Sequence, residues 1–174
     1  MPVFETNRLL ICKLTSNDAP FILELLNDPS WIRYIGDKNV RTLADAREYI
    51  RNGPQKSYAQ LGFGLYAVKL KPDGRPIGMC GLLQRDTLED ADIGFAFLPR
   101  FTGKGYASES AEAILDHAHT VLDMKRILAI TSPDNFSSMA LLNRLGFNFK
   151  KMIIIGSEEL RLFEKSTEKA PGNS

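Results

Sequence analysis

The chain has 174 residues, 44% of them hydrophobic and 25% charged, a balance expected of one soluble domain long enough to bury a core. Its 22 basic and 21 acidic residues leave a net charge of +1, and no basic block stands out, which argues against nucleic-acid binding through bulk charge. There is no apolar run of membrane-spanning length and no secretory pattern at the N-terminus, so a cytoplasmic protein is expected. Cys12 and Cys80 sit in strand-like apolar stretches and read as buried free thiols. His117 and His119 are two apart on an expected helix, so they point about 200° apart and cannot share a metal; no metal site is expected.

The segment from Arg8 to Leu14 reads as a strand. Ser16 or Asn17 can cap a helix running to about Asn27, with Phe21, Ile22, Leu25 and Leu26 on its apolar face. Asp28-Pro29 interrupts it and opens a short helix carrying Trp31, Ile32, Tyr34 and Ile35, ended by Gly36. Thr42 caps a third helix through Leu43, Ala46, Tyr49 and Ile50, and Gly53-Pro54 is expected to stop it. Phe63 to Lys71 and Ile77 to Leu83 form a hairpin around Pro72-Asp73-Gly74. After the polar stretch Gln84 to Asp90, Ala91 to Leu98 adds a third strand to an antiparallel meander. A long helix begins near Lys104, with Ala107, Ala111, Ile114, Leu115, Ala118 and Leu122 following the helical period. Arg126 to Ser132 is a strand, Asn135 to Leu145 a helix ended by Gly146, and Phe147 to Ile155 and Glu159 to Glu164 close the sheet. Residues 1–165 are expected to form a single domain and 166–174 a polar, flexible tail.

Between the third strand and the long helix lies Leu98-Pro-Arg-Phe-Thr-Gly-Lys-Gly-Tyr-Ala107. A strand, a short glycine loop and a helix start aim several backbone N–H groups at one spot, an anion cradle. A P-loop is excluded, because Gly103-Lys104-Gly105 lacks both the distant glycine and the magnesium-holding hydroxyl. A dinucleotide fingerprint is excluded too: its third glycine is Ser108 here, and the preceding strand belongs to a meander. What fits is [QR]-x-x-G-x-[GA], met by Arg100-Phe101-Thr102-Gly103-Lys104-Gly105. With this loop, Asn135-x-x-Ser138-x-x-Leu141-Leu142-x-x-Leu145-Gly146-Phe147 and the opening Thr6-x-Arg8-Leu9-x-Ile11, Asp18-Ala19, Asn27-Asp28-Pro29, Tyr34-Ile35-Gly36, the chain resembles the GNAT-superfamily N-acetyltransferases. The branch it is most similar to is the RimJ/RimL type, which includes ribosomal-protein N-terminal acetyltransferases.

The resemblance implies a mixed α+β fold: a mostly antiparallel, twisted sheet of about six or seven strands, splayed at the cofactor site and flanked by helices. It implies acetyl-CoA as cofactor, with the pyrophosphate held by the loop. The donor-binding residues it implies are Phe95, Ala96, Phe97 and Leu98, then Arg100 to Ala107 (Phe101, Thr102, Gly103, Lys104, Gly105 and Tyr106 between them), with Asn135 and Ser138. Arg100 and Lys104 are expected to add charge near phosphate, and a backbone N–H of Phe95–Leu98 to face the developing oxyanion. Asp92, in Asp92-Ile-Gly-Phe95, is the candidate base, directly or through water; alternatively it joins Glu89 and Asp90 in an acidic cluster that attracts a cationic amine. Leu142 stands where many relatives carry a tyrosine, and the resemblance to the RimL type implies Ser138 instead as the proton donor to the leaving sulfur. Trp31, Tyr34 and Tyr49 are candidates for the acceptor side. The expected acceptor is a peptide α-amine. A small-molecule amine, or a catalytically weak acyl-CoA-binding module, stays open, as does the choice between monomer and homodimer.

Overall fold

The computed structural model describes residues 2–166. The eight strands are β1 (Pro2–Glu5), β2 (Leu9–Lys13), β3 (Leu65–Leu70), β4 (Pro76–Leu83), β5 (Asp92–Phe97), β6 (Arg126–Thr131), β7 (Asn148–Ile155) and β8 (Glu158–Ser166). They form one sheet in the order β1-β2-β3-β4-β5-β6-β8-β7. Every neighbouring pair is antiparallel except β5 and β6, which are parallel and meet only at Asp92 and Leu128. The sheet therefore splits into a V beyond that single pair. Seven strands match those read from the sequence; the eighth is β1, too short to show a period of its own. β1 gains its order by pairing with β2 and by stacking Phe4 on His117, with ring centroids 5.2 Å apart. The expected tail from residue 166 lies outside the described residues except for Ser166, the last residue of β8.

The helices are α1 (Ala19–Leu26), α2 (Pro29–Tyr34), α3 (Leu43–Ile50), α4 (Lys56–Leu61), α5 (Tyr106–Thr120) and α6 (Phe136–Arg144). Their apolar stripes make the core: Ile22, Leu25 and Leu26 of α1, Ala111, Ile114 and Ala118 of α5, and Leu141 and Leu142 of α6 are all buried. Removing one such leucine or isoleucine side chain from water is worth about 1.5–3 kcal/mol. α5 packs on β2, β4 and β5, while α6 packs on β6.

Two expectations at helix ends are corrected. The cap before α1 is Thr15, whose hydroxyl accepts from Asn17 N–H while the Asp18 carboxylate accepts from Thr15 N–H at 2.9 Å, a reciprocal box around a 3₁₀ turn. Gly53-Pro54 does not stop α3. The chain widens into a π-turn over Arg51–Gln55, where the missing proline N–H is tolerated, and continues as α4 until Gly62 turns left-handed at φ +79°. The extension matters, because it brings the Tyr58 hydroxyl to the Leu14 N–H at 3.1 Å. At the end of α6, Gly146 N–H reaches Asn143 O at 3.1 Å and Phe147 N–H reaches Leu142 O at 2.9 Å, closing a Schellman motif with Gly146 at φ +91°.

Candidate active site

The V between β5 and β6 opens into a cavity of about 1210 Å³. Backbone alternation decides what it offers. Leu98 N–H bonds Ile77 O at 3.0 Å, so the groups of Phe97 and Phe95 face the opposite edge, where β6 has diverged. Two backbone N–H groups thus point into the cavity from Phe95 and Phe97. Ala96 also lines it, but Leu98 does not: its N–H is taken and its side chain is buried in the core.

The glycine loop forms one end of the cavity. Gly103 (φ +74°) and Gly105 (φ +83°) adopt left-handed backbone, which glycine alone enters without steric cost. Gly105 is the N-cap of α5. A Cβ at Gly103 would meet no protein atom within 4 Å, so nothing packs against that side of the loop. Phe101, Thr102, Gly103, Gly105, Tyr106 and Ala107 line the cavity, whereas Arg100 and Lys104 do not. Arg100 was expected near phosphate; instead its Nη1 donates to Glu24 of α1 at 2.7 Å. What the loop itself presents to the cavity is backbone N–H groups and the start of α5.

Asp92 sits at the apex of the V with its side chain 1% exposed, not as a solvated hairpin charge. Arg85 Nε donates to both carboxylate oxygens, at 3.1 and 3.2 Å. Burial pushes the Asp92 carboxyl up to about 6, against the pull of Arg85 in the opposite direction. The acidic cluster of the sequence reading is split. Glu89 and Asp90 belong to Arg126, at 2.9 and 2.7 Å, and Asp92 alone faces the cavity.

Across the V, the Asn135 amide oxygen accepts from Ser138 N–H at 3.2 Å and caps α6. Its amide nitrogen is left for another partner. Ser138 lines the cavity, and its hydroxyl bonds no other described residue. Leu142 is buried and lines the cavity as well, so no phenol stands there. Trp31, Tyr34 and Tyr49 all line the far side. Burial raises the Tyr49 phenol to about 12, so it stays neutral. α2 is tied to the opposite wall: Ser132 Oγ donates to Tyr34 O at 3.2 Å, and Arg33 pairs with Asp134 at 3.2 Å.

A family model, the acetyltransferase (GNAT) domain, matches residues 8–148. The chain belongs to the GNAT acetyltransferases. Among curated relatives, the uncharacterized N-acetyltransferase YnaD of Bacillus subtilis is 29% identical over 157 residues, 88% of this chain and 89% of YnaD. Among solved structures, the ribosomal-protein-S5-alanine acetyltransferase of Vibrio fischeri superposes with a TM-score of 0.80 at 18% identity, covering 95% of this chain and 96% of the other. RimL, the ribosomal L7/L12 alpha-N-protein acetyltransferase solved with coenzyme A, gives 0.81 at 15% identity, covering 95% and 98%. At such identities these structures establish the shared fold.

This acetyltransferase uses acetyl-CoA, as its family does, and the cavity fits that donor. The β5 edge and the Asn135 amide offer hydrogen-bonding groups along one stretch of the cavity, and the glycine loop offers N–H groups at its end. Arg85 went unnoticed in the sequence. It sits in a polar stretch, and only the hairpin geometry that returns Asp92 beside it seven residues later marks it out. Among the described residues no helix is long and apolar enough to cross a membrane.

Proposed function

We propose that this acetyltransferase acetylates a peptide α-amine, with Asp92 as base and Ser138 as proton donor to the leaving sulfur. The observation that carries the reading is the buried Asp92 carboxyl at the apex of the V, raised to about 6. A base of that strength suits an α-amine. At pH 7 roughly one α-amine in ten is already neutral, against roughly one lysine amine in two thousand. RimL is by name an alpha-N-protein acetyltransferase and the Vibrio fischeri enzyme a ribosomal-protein acetyltransferase, which supports a protein acceptor. Two unbridged cysteines, Cys12 and Cys80, go with a cytoplasmic location.

Acetyl-CoA supplies an acyl group activated as a thioester. The Gly103–Gly105 loop and the start of α5 hold its diphosphate. The Phe95 and Phe97 N–H groups orient the arm and face the charge that builds on the carbonyl oxygen. Trp31, Tyr34 and Tyr49 wall the acceptor side and exclude water. The amine nitrogen attacks the carbonyl carbon, forming the amide as the C–S bond breaks. Asp92 takes the amine proton, directly or through one water. Ser138 passes a proton to the departing sulfur and regains one from solvent, while Asp92 returns its proton to solvent, and the α6 N-terminus would favour the thiolate before it is protonated.

Two measurements test this. Thiol release from acetyl-CoA across peptides, polyamines, amino acids and aminoglycosides should give the highest kcat/KM with peptides. Higher values for free amines would refute the acceptor, and tight donor binding without turnover on any amine would make the protein a binding module, as Leu142 at the usual tyrosine position allows. Ser138→Ala keeps the backbone cap on Asn135 and removes only the hydroxyl. Its kcat should fall about 2- to 10-fold with KM little changed, the worth of one hydrogen bond. An unchanged kcat would remove Ser138 from the proton path.

A further inference from the structure

Arg8 lies behind the glycine loop and does not line the cavity. Its Nη1 donates to the Lys104 carbonyl at 3.0 Å, and its guanidinium lies 4.4 Å from the centre of the Tyr106 ring. Glu109, in the first turn of α5, fixes it from the other side. Glu109 accepts from Arg8 Nε at 2.7 Å, from the Arg8 backbone N–H at 2.9 Å and from the Thr6 hydroxyl at 2.8 Å. Thr6 Oγ1 in turn accepts from Leu9 N–H at 3.1 Å. One polar unit thus joins the β1–β2 turn, the start of α5 and the loop.

The consequence is set by the peptide plane. In a trans peptide the C=O and the following N–H point in opposite directions. The Lys104 carbonyl is turned back onto Arg8, so the N–H of the same peptide, that of Gly105, is turned the other way. Gly105 lines the cavity while Lys104 does not, which fits that orientation. Arg8 also packs closely against the back of the loop: a Cβ on Gly105 would come within 3.2 Å of its Nη2. Glu109 neutralises the guanidinium, so Arg8 contributes direction more than charge.

We infer that Arg8 is a positioning residue for the donor: by holding the Lys104 carbonyl, it presets the Gly105 N–H toward the diphosphate. This rests on the assignment of the loop as the diphosphate cradle. Without Arg8 the 104–105 peptide can rotate, and the N–H must be reoriented each time the donor binds.

The test compares Arg8→Gln and the milder Arg8→Lys with the unsubstituted protein. Coenzyme A affinity by calorimetry should fall about tenfold in Arg8→Gln and less in Arg8→Lys, which keeps one donor. With S-acetylpantetheine, a thioester lacking the diphosphate, kcat/KM should stay within about twofold, because the loop has nothing to hold. A merely structural role would lower both donors alike, and that result overturns the inference, as does unchanged coenzyme A affinity. Valine at Gly103 and Gly105 separates the two ideas. If those variants lose coenzyme A and Arg8→Gln does not, the cradle stands and the role of Arg8 fails. If the glycine variants keep full affinity, the cradle itself fails.

Discussion

Asp92→Asn is expected to lower kcat about 10²- to 10³-fold while coenzyme A affinity stays within about twofold, the range for losing a positioned base. The side chain keeps its shape and can still meet Arg85, so the apex of the V survives. What is lost is the acceptor of the amine proton. The pH profile makes the sign explicit. With the folded carboxyl near 6 in the free protein, the base is ready above that pH, and kcat/KM should rise through it. In Asp92→Asn that limb disappears, and the residual rate keeps climbing into the alkaline range as the amine loses its own proton. A wild-type rate and profile would take Asp92 out of the mechanism. Stability follows the same linkage. The folded value is raised from 3.8, so the folded protein holds this proton more tightly than the unfolded chain, and stability is lost as pH rises from about 4 to about 6. The substitution should flatten that slope in denaturant titrations.

The second large effect lies in the loop. Gly103→Val with Gly105→Val is expected to weaken coenzyme A binding by at least about 100-fold, or 2.7 kcal/mol. Both positions hold positive φ, where a side chain with Cβ costs about 1–2 kcal/mol and a β-branched one more. The loop escapes that strain only by turning its N–H groups out of line. Calorimetry reads the result directly, and unchanged affinity would refute the cradle. Gly103→Ala alone should give a smaller loss.

What the sequence made legible was local. The stripe Ala111, Ile114, Ala118 gave α5 its buried face, the glycines marked the loop, and Asn135 with Gly146 bounded α6 at both ends. What escaped it depends on partners far along the chain. Arg100 has the charge to meet a phosphate, but Glu24 lies 76 residues away in sequence and reaches it first. Arg8 reads as part of a strand until Glu109, 101 residues on, is folded against it. β1 has too few apolar residues to announce itself and exists through its pairing with β2. The burial of Asp92 is of the same kind. Its sequence neighbours Glu89 and Asp90 suggested a solvated acidic turn, yet Arg126 draws those two aside and leaves Asp92 in the cavity wall.

The proposed reaction carries acetyl to an α-amine. It is tested most directly by incubating the protein with acetyl-CoA and a peptide that carries both a free N-terminus and an internal lysine, then locating the added mass by fragmentation. Acetyl is expected on the N-terminal nitrogen, with no product when that terminus is blocked. Acetyl on the lysine, or undiminished product from the blocked peptide, would contradict it.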